Sequence, residues 1–298
     1  MAFTAQDVKE LREMTGCGMM DCKKALTETN GDKDKAVEFL REKGLATAAK
    51  KAGRIASEGI VKAYLTEDKK IGVLVEVNSE TDFVAKNAEF QGFVSKIAEI
   101  VAEKNPADVE ALKALAYDDS QNVGDALTAL IAKIGENMNI RRFARIEGNV
   151  CSYTHGEGRI GVLVQAEDSL ADADAYEAAR DAAMQIAAIN PLYLSKEVVP
   201  AEDVEKEKHI IIAQIKEDPK NANKPDAIIE KMVGGKINKF YEQNCLLQQE
   251  FVKNGDFKVE AYLASKGVKL INYVRFEKGE GLAKKEENFA DEVASMIK

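Results

Sequence analysis

At 298 residues, the chain has room for one large domain or two to three smaller ones. A hydrophobic share of 45% excludes wholesale disorder, and no apolar run reaches the length needed to span a bilayer. The net charge of -9 argues against nucleic acid as the main partner, because phosphate binding draws on clustered Lys and Arg.

Two local basic groups, Lys50-Lys51 with Arg54 and Arg141-Arg142, read as solvated or paired surface charges. The start, Met1-Ala2-Phe3-Thr4, runs straight into an amphipathic pattern without a basic and apolar leader, so the expected location is the cytoplasm. The four cysteines are Cys17, Cys22, Cys151 and Cys245. The spacing of the first two fits neither a CxxC redox pair nor a zinc knuckle. The only histidines, His155 and His209, are far apart in sequence. Reduced, buried thiols with no metal and no cofactor are the expectation.

Residues 4–44 read as three short helices. Thr4 is placed to cap the first, which carries Val8, Leu11 and Met14, and Gly16 and Gly18 break it. The second puts Met19, Cys22, Ala25 and Leu26 on one face. Asn30-Gly31 is a turn. Asp32 caps a third helix that buries Ala36, Val37 and Leu40 and stops at Gly44. Such a thin bundle suits docking better than catalysis. Residues 45–54 read as a helical connector.

The centre of the chain contains an internal repeat. Glu58-Gly59, Val61, Tyr64 and Ile71-Gly72-Val73-Leu74-Val75 recur as Glu147-Gly148, Val150, Tyr153 and Ile160-Gly161-Val162-Leu163-Val164, always at the same spacing of 89 residues. Each copy reads as strand, turn, strand and helix, so two related α+β units are expected. The helix of the first carries Phe90, Phe93, Val94, Ile97 and Val101. The helix of the second carries Ala179, Ala182, Ala183, Ile186 and Ala187. Residues 107–135 read as helical between the copies, and residues 139–147 as a strand leading into the second.

Residues 196–245 read as a charged antiparallel helical hairpin, with Ile211, Ile212 and Ile215 on one helix. Asp226 is expected to cap the other, which carries Ile229, Met232, Val233, Ile237 and Phe240. Oligomerisation, partner contact and simple packing all remain open for it. Residues 270–277 alternate like a strand, and residues 283–297 read as a last amphipathic helix with Phe289, Val293 and Ile297 in line.

Catalytic signatures are missing. Gly234-Gly235-Lys236 lacks the remaining elements of a phosphate-binding loop, and His155 has no nucleophile near it in sequence. The first repeat alone carries residues 78–84, Asn-Ser-Glu-Thr-Asp-Phe-Val, where the second has plain acidic and small residues. Phe83 is therefore not demanded by the repeat. It fits a hydrophobic staple under a helix capped by Thr81 or Asp82. It fits equally an aromatic anchor held out for a partner.

The stretches VKELREMTGCGMMDCKKAL (8–26), KKAGRIASEG (50–59), NSETDFVAKN (78–87), IGENMNIRR (134–142), THGEGRIGVLV (154–164) and RFEKGEG (275–281) resemble the bacterial elongation factor Ts family, the nucleotide exchange factors of elongation factor Tu. They are spread in order over essentially the whole chain. The resemblance implies an α+β fold with an N-terminal three-helix module similar to the ubiquitin-associated fold, followed by two repeated strand-strand-helix subdomains with antiparallel sheets. It adds an inserted helical hairpin of coiled-coil type and a C-terminal helix. The corresponding division is 1–54, 55–140, 141–195 with 246–278, 196–245, and 279–298.

The resemblance further implies a guanine nucleotide exchange factor without covalent chemistry that releases GDP from elongation factor Tu. Thr81, Asp82, Phe83 and Val84 match the family's loop that disturbs the magnesium and nucleotide site of the GTPase. Arg12, Met19, Met20 and Lys23 match the helical module's contact face, and Ile134 and His155 match further contacts. Residues 196–245 match a hairpin that mediates dimerisation in some members, so a homodimer is open. Cys17 departs from the smaller residue usual there, and residues 167–176 and 244–268 are the least family-like. The residues alone also fit an adaptor that docks through its helical module without exchange activity.

Overall fold

The computed structural model describes residues 3–15, 17–221 and 224–283. The last helix expected from the sequence and the break at Gly16 fall on residues outside these. Three helices open the chain: α1 (Ala5–Thr15), α2 (Met19–Glu28) and α3 (Lys33–Lys51). Thr4 and Asp7 close a reciprocal cap on α1. The Asp7 carboxylate accepts from the Thr4 backbone N–H at 2.8 Å and from its hydroxyl at 2.7 Å, and these hydrogen bonds hold the carboxyl well below its usual pKa. Asp32 caps α3 through the Lys35 N–H.

Val8, Leu11, Cys22, Ala25, Leu26, Ala36 and Leu40 make a small core of their own. Met19 does not join it. As the first residue of α2 it lies outside the packed turn and is 55% exposed. Gly44 does not stop α3, which continues for seven more residues to Lys51. Gly44 is buried instead. A Cβ there would already touch Ala132 at 3.7 Å, so the bare backbone lets α3 lie against the helix carrying Thr128 and Ala132.

Among the described residues, six strands form two antiparallel sheets. The first joins β1 (Glu58–Leu65), β2 (Ile71–Ser79) and β3 (Met138–Glu147). Between β2 and β3 run a single helical turn α4 (Asp82–Ala85), the long helix α5 (Ala88–Lys104), the short α6 (Val109–Ala114) and α7 (Val123–Ile134). The second sheet joins β4 (Asn149–His155), β5 (Ile160–Ala166) and β6 (Leu270–Glu277). After β5 come α8 (Ala173–Ile189), the hairpin of α9 (Ala201–Glu217) and α10 (Asp226–Asn244), and α11 (Val259–Ser265).

Residues 141–147, assigned from the sequence to the second unit, belong to the first sheet: β3 pairs with β2 from Ile71↔Glu147 to Ser79↔Met138. Ion pairing supports that partnership. Glu76 of β2 has a fully buried side chain and receives Arg141 at 3.0 Å and Arg142 at 2.6 Å. The backbone N–H of Gly279, just past β6, also donates to Glu76 at 2.8 Å, so one carboxylate ties both sheets together. The helical stretch 107–135 holds two helices, α6 and α7, with the bridge Ala116↔Asn122 closing the turn between them. Asp226 does not cap α10. It is the first helical residue, and Pro225 precedes it as N-cap without a side-chain bond.

The repeat has a physical basis in the way the sheets meet. Val61, Leu74, Val150 and Leu163 form a core between them with Ile146 and Phe276. A Cβ on Gly72 would lie 2.5 Å from Val150 Cγ1 and 3.2 Å from Leu163 Cδ2. A Cβ on Gly161 would lie 2.6 Å from Val61 Cγ1 and 2.9 Å from Leu74 Cδ2. Each repeat's glycine therefore receives the other repeat's Val and Leu. The hydrogen bonds reciprocate too: Val61 N–H donates to the Gly158 carbonyl at 2.8 Å, and Val150 N–H to the Lys69 carbonyl at 3.2 Å. The two units meet as the halves of a two-fold dimer meet, through one self-complementary patch.

The outer faces carry the helices. Phe90, Phe93, Val94, Ile97 and Val101 of α5 cover the first sheet, and the alanine-rich face of α8 covers the second. In the hairpin, Ile211 and Ile215 pack on Ile237, with Ile229, Met232, Val233 and Tyr241 around them. No helix of the described residues is long and apolar enough to cross a membrane.

Candidate functional site

The stretch from Ser79 to Asn87 joins the end of β2 to the start of α5, and each polar side chain in it has a hydrogen-bond or ion-pair partner. Thr81 caps α4, accepting from the Val84 N–H at 3.5 Å. Ser79 Oγ donates to the Thr81 carbonyl at 2.9 Å. Asn87 caps α5, accepting from Glu89 N–H at 2.8 Å and Phe90 N–H at 3.2 Å. Val84 and Ala85 insert into the core of the first unit at 6% and 7% exposure. The backbone is thus pinned on both sides of Phe83.

The Phe83 ring is 80% exposed, the most exposed of the large apolar side chains among the described residues. A staple buries its aromatic against the helix, so this exposure removes the staple reading. Asp82 is exposed beside it and pairs with Lys86 at 3.2 Å, a surface contact worth at most about 1 kcal/mol. Within the tetrapeptide Val84 is the most buried, facing inward as an anchor at 6% exposure.

A second exposed apolar group lies on the N-terminal module. Met14, Met19 and Met20 are 66%, 55% and 73% exposed, with Arg12 on α1 and Lys23 on α2 also exposed. Unbranched, polarisable methionines at a surface suit an adaptable protein contact. Met14 was read from the sequence as part of the helix's apolar face. Its 66% exposure places it outside the module's core instead.

Ile134 ends α7, half-buried against the first core, one residue before Gly135 at φ +88°. His155 ends β4 in the second sheet, exposed, with Nδ1 3.0 Å from the Tyr153 hydroxyl. The named residues therefore do not converge on one cleft. They occupy the module (Arg12, Met19, Met20, Lys23), the first-sheet loop (Thr81, Asp82, Phe83), the helix end beside it (Ile134) and the second sheet (His155).

Ile134 and the Phe83 loop are nevertheless neighbours. Glu136, two residues after Ile134, accepts from the Thr81 N–H at 3.0 Å and from its hydroxyl at 2.7 Å. Glu80 accepts from the Asn137 N–H at 2.6 Å. Asn137 Nδ2 donates to the Arg54 carbonyl at 2.8 Å, and Lys51 donates to the Gly135 carbonyl, so the end of α3 reaches the same point. Sequence reasoning missed Glu80, Glu136 and Asn137 as members of this site. Their partners lie more than 50 residues away, and nothing local marks a carboxylate that will meet a distant amide. Among the described residues, no group of three or more His, Cys, Asp or Glu could hold a metal ion.

A family model described as "Elongation factor TS" matches residues 80–280, a span that begins at this loop and ends in the turn after β6. The elongation factor Ts of Clostridium perfringens (strain SM101 / Type A) is 55% identical, with 99% of each chain covered. The chain belongs to the elongation factor Ts family. The elongation factors Ts of Clostridium kluyveri (strain ATCC 8527 / DSM 555 / NBRC 12016 / NCIMB 10680 / K1) and Clostridium tetani (strain Massachusetts / E88) are 52% and 51% identical over equal coverage. Elongation factor Ts membership places the chain among the translation elongation factors.

Proposed function

We propose that the chain is the guanine nucleotide exchange factor of elongation factor Tu, and that Phe83 is the wedge by which it expels GDP. The observation that carries this reading is a largely bare aromatic ring on a turn pinned at Thr81, Val84 and Asn87. A protein that exposes a phenyl ring to water forgoes burial worth about 1.5–3 kcal/mol, and recovers it only on a partner. Because the turn is already ordered, little conformational entropy is lost on docking.

A GTPase holds GDP through its phosphate-binding loop and a magnesium ion. The factor has no need to touch the nucleotide. It must favour the nucleotide-free partner, and by linkage GDP then weakens the factor to the same degree that the factor weakens GDP. Insertion of Phe83 between elements of the GTPase shifts the groups that position magnesium, and the Asp82 carboxylate competes in the same polar network. Burying the ring only in the open partner displaces the equilibrium about 10- to 100-fold. The methionine group with Arg12 and Lys23 grips the partner while the wedge works, and Ile134 and His155 supply further contact points.

The test uses elongation factor Tu loaded with a fluorescent GDP analogue. Substoichiometric amounts of the chain are expected to accelerate release severalfold or more, and the chain should capture the GTPase in a complex that GDP with magnesium dissolves. No acceleration, or a complex indifferent to GDP, would sink the exchange reading and leave an adaptor.

A further inference from the structure

We propose that Glu80 and Glu136 are positioning residues for the wedge: together they form a paired carboxylate strap that sets how the Phe83 ring is presented. The inference rests on the exchange reading above. The backbone ladder between β2 and β3 ends at Ser79↔Met138. One step further the extensions of the two strands still hold each other, now through side-chain carboxylates. The Glu136 carboxylate takes the Thr81 N–H at 3.0 Å and the Thr81 hydroxyl at 2.7 Å, while the Glu80 carboxylate takes the Asn137 N–H at 2.6 Å. Each strand end is clamped by the carboxylate of the other. Hydrogen bonds to an ionised acceptor are roughly twice as strong as neutral ones, which suits a clamp at a half-exposed strand end.

Thr81 is the pivot. Its hydroxyl donates to Glu136 and accepts from the Val84 N–H, so one rotamer serves both the strap and the cap of α4. Phe83 lies two residues on, in the first turn of that helix. Without Glu136 the hydroxyl is free to rotate, the cap loosens and the ring samples many directions. Glu80 also faces Arg54 at 3.4 Å, and Asn137 holds the Arg54 carbonyl at 2.8 Å, so the strap ties the tip to the connector through which α3 leads back to the helical module of the exposed methionines. Two surfaces that must engage one partner are thereby held at a set separation.

The experiment uses the full chain with Glu136→Ala, Glu136→Gln and Phe83→Ala, alone and with each Glu136 variant combined with Phe83→Ala. Release of the fluorescent GDP analogue from elongation factor Tu is measured as a function of chain concentration. Glu136→Ala is expected to lower the limiting rate about tenfold, the scale of one hydrogen bond to a charged group, with the half-saturating concentration nearly unchanged. Glu136→Gln should lose less, because its amide oxygen still accepts from Thr81. In the Phe83→Ala background, Glu136→Ala should cause no further loss. Should Glu136→Ala fold poorly, Thr81→Val removes the hydroxyl while keeping the shape and must reproduce the fall. A normal limiting rate, or a full extra loss without Phe83, overturns the positioning role. Failure of the wild-type chain to accelerate release overturns the exchange reading itself, and the strap with it.

Discussion

A methyl group added at Gly161 tests the sheet-to-sheet packing that carries every exposed feature of the core. Alanine normally improves a strand over glycine by about 0.5–1 kcal/mol. Here its Cβ would sit 2.6 Å from Val61 Cγ1 and 2.9 Å from Leu74 Cδ2. Leu74 can swing its terminal methyl, but Val61 is β-branched, stiff at χ1 and 1% exposed. Overpacking of this kind costs about 1–3 kcal/mol, so the net change expected for Gly161→Ala is a loss of about 1–2 kcal/mol. Val61→Ala alone removes two methyl groups and leaves a cavity, at about 2 kcal/mol. In the double variant the new methyl occupies the space vacated, and the pair should cost about 1–2 kcal/mol less than the sum of the singles. Urea unfolding followed by circular dichroism supplies all four corners of the cycle. A Gly161→Ala chain as stable as the wild type, or a double variant that loses the full sum, would refute the reciprocal glycine packing. Gly72→Ala with Val150→Ala should repeat the pattern on the other side.

Glu76→Ala leaves Arg141 and Arg142 facing a buried site without their carboxylate, and a loss of about 3–5 kcal/mol in the same unfolding assay is expected; a loss below about 1 kcal/mol would contradict the role of this carboxylate in tying the two sheets together. Burial pushes the thiols of Cys151 and Cys245 up to about 11 and the Tyr176, Tyr262 and Tyr273 hydroxyls up to about 12. Above the ordinary thiol pKa the unfolded chain releases protons that the folded chain retains, so stability is expected to hold to about pH 8.5 and fall progressively towards pH 11. Cys151→Val should flatten that fall, and urea midpoints independent of pH across this window would count against it. Met20→Lys on the exposed module face should leave the unfolding midpoint within about 0.5 kcal/mol of wild type but raise the concentration of chain needed for half-maximal GDP release; an unchanged concentration removes the methionine group from the contact.

Much of the fold was legible because local physics and the repeat agree. The pairs Gly59/Gly148 and Gly72/Gly161 recur at constant spacing for steric reasons: the first pair takes φ of +112° and +123°, and the second receives the opposite sheet's side chains. Helix starts at Thr4 and Asp32 followed from caps. The failures lie where a distant partner decides. Residues 141–147 looked like an entry to the second unit, yet β3 completes the first sheet by pairing with β2 and placing Arg142 on buried Glu76. Gly44 looked like a stop, and the need of α3 to approach α7 keeps it inside the helix.

The tip divides the same way. Sequence could say that Phe83 is superfluous to the repeat, but only its surroundings tell an outward ring from a staple, because both need the same Thr81 cap. Val84 shows the limit of reading a tetrapeptide as one site: two residues of it face solvent, Thr81 is the half-buried pivot, and Val84 anchors in the core.

The wedge is tested most directly by Phe83→Ala in stopped-flow release of a fluorescent GDP analogue from elongation factor Tu at saturating chain. With the ring 80% exposed, the variant should unfold at the wild-type urea concentration, while the acceleration of release falls about 10- to 100-fold. Full acceleration by the Phe83→Ala chain would contradict the account.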